Sequence, residues 1–283
     1  MKDYFSKYLF GALFFLCVCN MYAQDFQGQA EYVYKAKMDL GDWGARMSQE
    51  QKNQIAERLK NRLEKTYTLT FNKEESIYKE NQKLDAISGA TDSWGKNFTP
   101  GDQYKNIKTK EFVQDQEFYG KRFLVEDQLL NIPWKMETET KQIGGYTCFK
   151  AIARIPSELL SFWEFEWSKL RNQNTETKKE ADSDKEKEKT VEEVKFTEII
   201  AWYSPQIPVS QGPSEFWGLP GLILELSIGN TVMLCSKLVI NPKEKVKIEA
   251  PNRGEEVNKK QYEEVVFKKM GEFLSSYSGR RRS

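Results

Sequence analysis

The absence of histidine from this chain of 283 residues decides which side chains could do chemistry. Without an imidazole, the Ser-His-Asp and Cys-His nucleophile systems are excluded in their usual form, and so are zinc sites with histidine ligands. Acid–base chemistry would have to come from carboxylates, lysines, tyrosines or thiols. The sequence therefore assigns no catalytic residues, no metal ligands and no cofactor.

The acidic side chains offer one pair to consider, Glu215 with Glu225. Two carboxylates on either side of a glycosidic bond can hydrolyse it, one as acid and the other as base or nucleophile. Glu225, however, stands between Leu224 and Leu226, and alternation along a strand turns its side chain away from the face that the leucines bury. A carboxylate-based hydrolase is therefore the third of three functional hypotheses.

The cysteines that remain after the N-terminal segment are Cys148 and Cys235. In an oxidising compartment they could form one disulfide, and the alternative is two buried thiols that pack as small apolar residues. Cys148 and Lys150 share one face of a predicted strand, an arrangement that could activate the thiol. Because no histidine is available as a base, we favour a packed cysteine at position 148.

Three large aromatic residues, Trp202, Phe216 and Trp217, flank a loop rich in proline and glycine. Such side chains line pockets for apolar or glycan ligands, and they also fill cores and the rims of sheets. We take them as the candidate ligand-binding residues. The alternative is that they only fill the core or its rim.

Residues 1–23 have the pattern of a secretory signal peptide. Lys2 and Lys7 form a charged start, residues 8–18 form an apolar stretch of the expected length, and Ala23 provides a small residue at the cleavage point. The apolar stretch is shorter than the roughly 20 residues that a membrane-spanning helix needs. We therefore predict an exported protein, located in the periplasm or associated with the outer membrane.

The mature chain, residues 24–283, is predicted to form a single β-rich domain without a transmembrane span. Two of the 43 basic and one of the 42 acidic residues lie in the leader, so the mature chain has no net charge. A neutral protein gives no electrostatic reason to expect a nucleic acid partner. A lipid anchor on Cys19 is less favoured than simple cleavage, because bulky Val18 precedes it.

The elements that would position these side chains are mainly strands. Alternating polar and apolar residues, rich in aromatic and β-branched types, are typical of half-buried strands. Leu222–Ile228 and Thr231–Val239 enclose Gly229-Asn230, a two-residue loop that favours a tight hairpin. Further strands are predicted at Gln29–Lys35, Thr66–Phe71, Ser76–Lys79, Tyr104–Val113, Glu117–Val125, Thr147–Ile155 and Lys195–Ser204.

Two helices are predicted beside these strands. Ser48 followed by Gln51 matches a capping box, and apolar residues follow at helical spacing. Near the C-terminus, Asn258 could cap a helix with one apolar stripe, which favours packing on the sheet. The predicted fold is thus α+β and β-dominated: a curved antiparallel sheet that could form a half-barrel, a short helix in the N-terminal half and a C-terminal amphipathic helix.

Two consecutive segments interrupt this pattern. Residues 171–195 contain seven basic and eight acidic side chains among 25. Such a segment buries too little apolar surface to become ordered, so we predict a charged, disordered insertion, with a solvated helix as the alternative. Residues 156–170 are rich in aromatics, which either pack on the sheet or form an exposed element that contacts a membrane surface or a partner.

Four short motifs occur in order along the second half of the chain. Together they resemble the GLPGLI family of exported envelope proteins from Gram-negative bacteria, which is named after the hexapeptide at positions 218–223. Ile132-Pro133-Trp134-Lys135 fits the same pattern upstream. The motifs are Gly145-Tyr146-Thr147-Cys148-Phe149-Lys150-Ala151, Ala201-Trp202-Tyr203-Ser204-Pro205-Gln206-Ile207-Pro208, Gly212-Pro213 and Gly218-Leu219-Pro220-Gly221-Leu222-Ile223.

The resemblance implies an antiparallel, β-rich envelope protein of uncharacterised function, and it transfers no catalytic residues. The interval from Ala151 to Ala201 is longer than the family pattern, so residues 156–195 resemble an insertion between two adjacent strands. Turn chemistry explains the two glycines and the proline of the hexapeptide as the corner that begins the hairpin.

Export, the lack of histidine and the many aromatic residues favour a non-enzymatic binding or accessory protein of the bacterial envelope. Such a protein could hold an apolar ligand or an envelope component on a concave sheet face. The alternative is a structural or interaction partner of an outer-membrane transporter or a secretion machine.

Overall fold

The fold is that of a computed structural model, which describes residues 26–37, 46–81, 100–160 and 195–279. These ranges contain twelve strands and two α-helices. The helices are α1 (Gln49–Leu63) and α2 (Lys259–Gly279). Strands β1 to β6 are Gly28–Ala36, Glu64–Phe71, Glu75–Glu80, Gln103–Asn106, Glu111–Phe118 and Lys121–Gln128. Strands β7 to β12 are Lys135–Ile143, Tyr146–Pro156, Phe196–Ser204, Leu222–Ile228, Thr231–Ile240 and Glu255–Val257.

These strands form one sheet, in the order β12-β6-β5-β4-β3-β2-β1-β11-β10-β9-β8-β7. Neighbouring strands are antiparallel except at one end, where β12 pairs in parallel with β6. Strands β1 to β6 form one meander and β7 to β11 form another, and the two are joined side by side through β1 and β11. The prediction of a β-dominated fold is confirmed, and the sheet is open.

The hairpin around Gly229-Asn230 is present as predicted. Strands β10 and β11 pair from Ile228 with Thr231 to Glu225 with Leu234, and Gly229 has the positive φ (51°) that such a turn requires. Strands β8 and β9 are also direct neighbours. The long interval between them therefore separates two adjacent strands. Its residues 161–194 lie outside the described part of the chain, as does the predicted signal peptide.

The predicted strand Tyr104–Val113 is wrong, because the chain reverses direction inside it. Strand β4 ends at Asn106, whose side-chain oxygen accepts hydrogen bonds from the backbone N–H groups of Lys108 (3.0 Å) and Thr109 (3.1 Å). An asparagine that bonds its own backbone in this way stabilises a turn. The turn occupies residues 107–110, and β5 follows.

The predicted strand Glu117–Val125 also contains a reversal. Tyr119 and Gly120 both have positive φ (48° and 77°), the conformation of a two-residue hairpin turn between β5 and β6. An aromatic residue rarely adopts positive φ, so the tyrosine hides the turn from sequence analysis.

Both predicted helices are present with their predicted caps. At α1, Ser48 Oγ accepts from the Gln51 N–H (3.2 Å), and Gln51 Oε1 accepts from the Ser48 N–H (3.0 Å). Asn258 and Gln261 make the same reciprocal pair at α2 (2.8 and 2.9 Å). Helix α2 then buries part of its predicted stripe against β5 and β6. The side chains in this contact are Tyr262, Val266 and Met270 from the helix and Phe118, Phe123 and Val125 from the strands.

The main core lies against the middle of the sheet and the loop that precedes β10. It gathers inward-facing residues of β1, β2, β8, β9 and β10, because alternation places every second side chain of a strand on the same face. Its largest fully buried members are Tyr32, Leu69, Phe71, Ile155, Ile199, Leu219, Leu222 and Ile223.

Candidate functional site

Residues 205–221, named here the motif loop, connect β9 to β10 and carry most of the hexapeptide. Gly221 lies directly against the end of β9: a Cβ atom on this residue would be 2.3 Å from the Ser204 carbonyl oxygen. Only glycine permits so close an approach of two backbone segments. Leu222 then begins β10, and its N–H donates to the Ile207 carbonyl at 3.0 Å. The hexapeptide is therefore the corner that begins the core hairpin.

The apolar residues of the hexapeptide anchor this corner. Leu219, Leu222 and Ile223 are fully buried, whereas Pro220 is exposed. The Tyr32 hydroxyl of β1 donates to the Ile223 carbonyl at 2.5 Å, which ties the first strand to the start of β10. Burial of three large aliphatic side chains contributes about 5 kcal/mol or more to the stability of the fold.

Two tryptophans fix the outer end of the motif loop. The Trp134 indole N–H donates to the Trp217 carbonyl (2.8 Å), and the Trp217 indole N–H donates to the Leu130 carbonyl (2.9 Å). Gly218 follows Trp217 with φ of +97°, a conformation that favours glycine. Phe216 is 2% exposed and belongs to the main core. Phe216 and Trp217 thus hold the loop in place.

Trp202, the third candidate ligand-binding residue, is on the opposite face of β9, although its ring also packs against the edge of the main core. It alternates along β9 with the buried Ala201 and Tyr203. The Lys141 ammonium lies 4.2 Å from the centre of its ring, a cation–π contact. The three aromatic residues therefore do not line one pocket.

A fully buried lysine, Lys105 of β4, lies beneath the motif loop. Its Nζ donates to the carbonyl oxygens of Gly212 (2.6 Å) and Phe216 (3.0 Å). Burial lowers the pKa of Lys105 to about 7, and the negative charge of Glu215 acts in the opposite direction. The amine thus ties the loop to the sheet, and its burial keeps it from acting as a nucleophile on a dissolved substrate.

The lowered pKa of Lys105 links the stability of the fold to pH. Between pH values of about 7 and 10.5, the unfolded chain keeps a proton that the folded chain has released. Stability rises with pH wherever the unfolded state binds more protons. The contribution of Lys105 to the free energy of unfolding is therefore least favourable below pH 7. It becomes more favourable as the pH rises from about 7 to 10.5.

The two carboxylates that sequence analysis paired, Glu215 and Glu225, have separate lysine partners. Glu215, 1% exposed in the motif loop, accepts from Lys259 at the start of α2, with Nζ–Oε2 at 2.6 Å. Glu225 pairs with Lys141 at 2.7 Å and, like it, is partly exposed. Since Trp202 and Glu225 are opposite each other in the sheet and both contact Lys141, Glu225 is on the Trp202 side. The two carboxylates do not face a shared cleft.

The buried polar groups beneath the motif loop have no signature in the sequence. Strand β4 places Gln103 and Lys105 on its loop side, where they are 1% and 0% exposed. Polar residues on the buried face of a strand invert the usual pattern, so alternation alone assigns them to the solvent side. Gln103 and Lys105 are buried because the motif loop covers them in the folded chain.

The two cysteines are free thiols in the structure. Strands β9 and β10 lie between β8, which carries Cys148, and β11, which carries Cys235. Three strand spacings amount to about 14 Å, well beyond the Cα separation of about 7 Å that a disulfide tolerates. Burial raises the pKa of each thiol to about 11, so neither is an activated nucleophile at neutral pH.

We expect Cys148 and Cys235 to react slowly with iodoacetamide in the folded protein at pH 8 and both to react in denaturant. The rate in the folded protein should rise as the pH approaches 11, because the thiolate is the reactive form. Counting carbamidomethyl groups by mass spectrometry, with and without prior reduction, measures this. A thiol pair that reacts only after reduction would contradict the geometry.

Among the described residues, no group of three or more cysteine and acidic side chains is arranged to hold a metal ion. Neither of the two described helices is long and apolar enough to cross a membrane.

The fold and the motif loop define a protein built on one open β-sheet, with a conformationally constrained corner before its core hairpin. Residues 134–225, which include the four motifs, match the model of a family described as "Protein of unknown function (Porph_ging)". No curated protein matches the chain.

Two solved structures, described as PNGF-II in C2 and P21 space groups, match the chain at 14% and 13% sequence identity, each with a TM-score of 0.46. Each match covers 86% of this chain and 33% of the other. The chain thus spans a third of the length of those chains.

Proposed function

We propose that the chain is a non-enzymatic accessory protein of the bacterial envelope that binds a protein partner through one face of its sheet. The observation that carries this proposal is a set of partly exposed apolar side chains on the Trp202 side of β1, β11, β9 and β8. We name this set the outer patch. Its members are Val33, Ile152, Ile200, Trp202, Val232 and Leu234.

Strand register supports the continuity of the outer patch. Leu234 lies opposite Val33 on one side, and on the other side the row continues through Glu225 to Trp202. Side chains directly opposite each other in an antiparallel sheet are within contact distance. Val232 and Leu234 are 38% and 39% exposed although they lie in the centre of the sheet, where an apolar face is normally covered.

The charges around the outer patch favour a protein over a nucleic acid or an anionic membrane. They include pairs of opposite sign on β7 to β10: Lys141–Glu225, Lys150–Glu139 and Arg154–Glu198. A polyanion would be attracted by unbalanced positive charge. An apolar surface bordered by both signs is typical of protein interfaces.

The competing hypothesis, an apolar ligand on a concave sheet face, has less support. Phe216 is buried in the core, and the Trp217 indole is engaged by the Leu130 carbonyl. Neither ring is left to cover a ligand beside the motif loop. The resemblance to GLPGLI proteins agrees with an envelope location, and the family match adds no activity.

Photo-crosslinking from the outer patch tests the proposal. With p-benzoylphenylalanine at position 232, expressed in the native envelope, we expect one discrete adduct with another protein. Leu234→Asp should abolish the adduct, because it places a charge in the apolar interface while leaving the fold intact at a position that is already 39% exposed.

The matched control is p-benzoylphenylalanine at the exposed position Glu117, on β5 far along the same sheet. It should give no such adduct. An adduct that persists in Leu234→Asp, or one made only with a second copy of the chain, would contradict binding of a protein partner through the outer patch.

A further inference from the structure

A row of buried glutamines crosses the sheet beneath the motif loop. Gln103 Nε2 donates to Gln114 Oε1 at 3.0 Å, and Gln114 Nε2 donates to Gln116 Oε1 at 2.7 Å. All three side chains are at most 1% exposed. The row ends at the Tyr262 hydroxyl of α2, which hydrogen-bonds Gln116. At its other end, Gln103 Oε1 has no hydrogen-bond partner.

A second unpartnered atom belongs to the motif loop itself. Gln211 is 0% exposed, and its Oε1 accepts from the Ser76 hydroxyl of β3 at 2.8 Å. Its Nε2 group has no partner. In the part of the chain that the structure describes, Gln103 Oε1 and Gln211 Nε2 are the buried side-chain atoms left unsatisfied. Each of these buried atoms would lower the stability of the fold by about 1–3 kcal/mol if it had no hydrogen-bond partner.

Strand register brings these two amides together. Ser76, to which Gln211 is bonded, lies directly opposite Lys105 in the β3–β4 pair. Gln103 is two residues before Lys105 and shares its buried face. It is therefore the diagonal neighbour of Ser76, at a Cα separation of about 7–8 Å. Two hydrogen bonds of about 2.8 Å that meet at the near-tetrahedral angle of one water molecule span about 4.6 Å between heavy atoms, which suits side chains anchored at this separation.

The Lys105 amine adds a third polar group beside the two amides. Its Nζ already donates to the carbonyl oxygens of Gly212 and Phe216. The ammonium form has one further N–H, and the neutral amine has one lone pair. Either form therefore retains one hydrogen-bonding position.

We propose that a single ordered water molecule binds between the motif loop and the sheet, bridging Gln211 Nε2, Gln103 Oε1 and Lys105 Nζ. The water accepts from Gln211, donates to Gln103 and completes the coordination of the lysine. Three partners are typical of a buried structural water. The loop that carries the hexapeptide is thus joined to β3 and β4 through a hydrated polar seam as well as through apolar contacts.

A high-resolution crystal structure of the full chain tests this site. We expect a water peak within hydrogen-bond distance of both amides, and we expect its loss in Gln211→Leu. Gln142→Leu, at an exposed glutamine on β7, is the control and should leave the peak unchanged. A direct bond between the Gln103 and Gln211 amides, or side chains that close the space, would overturn the proposal.

A thermal double-mutant cycle gives an independent readout. Gln103→Met and Gln211→Met remove one amide each with little change of volume. If both amides share one water, the second substitution should lower the Tm by less than half as much in the presence of the first. Additive shifts in Tm would mean that the amides have no shared partner and would also overturn the proposal.

Discussion

Replacing Gly221 with alanine is expected to lower the free energy of unfolding by about 3 kcal/mol, the upper end of the range for overpacking. The new Cβ atom would meet the Ser204 carbonyl oxygen at 2.3 Å and the Pro205 nitrogen at 2.8 Å. These are backbone atoms at the end of β9, so the motif loop must move away from the strand. Urea unfolding with an unchanged m-value measures the loss.

The matched control is Gly271→Ala in α2. A Cβ atom there has no neighbour within 4 Å, and alanine is a better helix former. We expect a gain of about 0.5–1 kcal/mol from this change. If the two substitutions changed the free energy of unfolding by the same small amount, the close approach at Gly221 would not contribute to stability. The hexapeptide would then need another explanation.

Glu215→Gln should destabilise the protein by about 3 kcal/mol, because it removes one partner of a buried ion pair. Lys259 would keep its charge next to an uncharged amide, and Lys105 would lose the nearby negative charge that opposes the effect of its burial. The pKa of Lys105 should therefore fall further. Chemical denaturation at pH 6 and pH 9 separates these effects, and the loss should be larger at pH 6, where Lys105 is protonated.

Glu225→Gln provides the comparison on the other side of the sheet. Its partner Lys141 is 32% exposed, so solvent screens the pair and the expected loss is below about 1 kcal/mol. Equal losses for the two glutamates would show that burial beneath the motif loop does not strengthen the Glu215 pair.

Local patterns predicted the elements whose signals are contained in adjacent residues. The capping box at Ser48 and Gln51 predicts α1 correctly, and the Gly229-Asn230 turn predicts the β10–β11 hairpin. Each depends on hydrogen bonds or dihedral angles within a few residues, which the residue types themselves determine.

A strand and a turn that lack a characteristic residue pattern were not predicted from the sequence. Strand β7 (Lys135–Ile143) is an edge strand whose residues are exposed or partly exposed, so it has no buried face to produce alternation. The Tyr119-Gly120 turn uses an aromatic residue at positive φ. Both features lie in hairpins between strands that follow each other in the chain, but their residue types lack the pattern of a half-buried strand or of a favoured turn.

The candidate site was predictable only in part. The hexapeptide identifies the corner, because the requirement for glycine at position 221 is a property of the backbone. The burial of Lys105 and Gln103 arises from a loop more than 100 residues away, whose carbonyl groups accept from the amine. No pattern within β4 contains this information.

The pairing of β1 with β11 has a consequence for how the protein folds. These two central strands join residues 28–36 to residues 231–240, so the meanders cannot be connected until most of the chain has been synthesised. Closing so long a loop costs entropy before any contact compensates for it, and sheets dominated by such distant pairs fold slowly. Until that step, β1 and β11 each present an unpaired edge, which exposes the incomplete chain to aggregation.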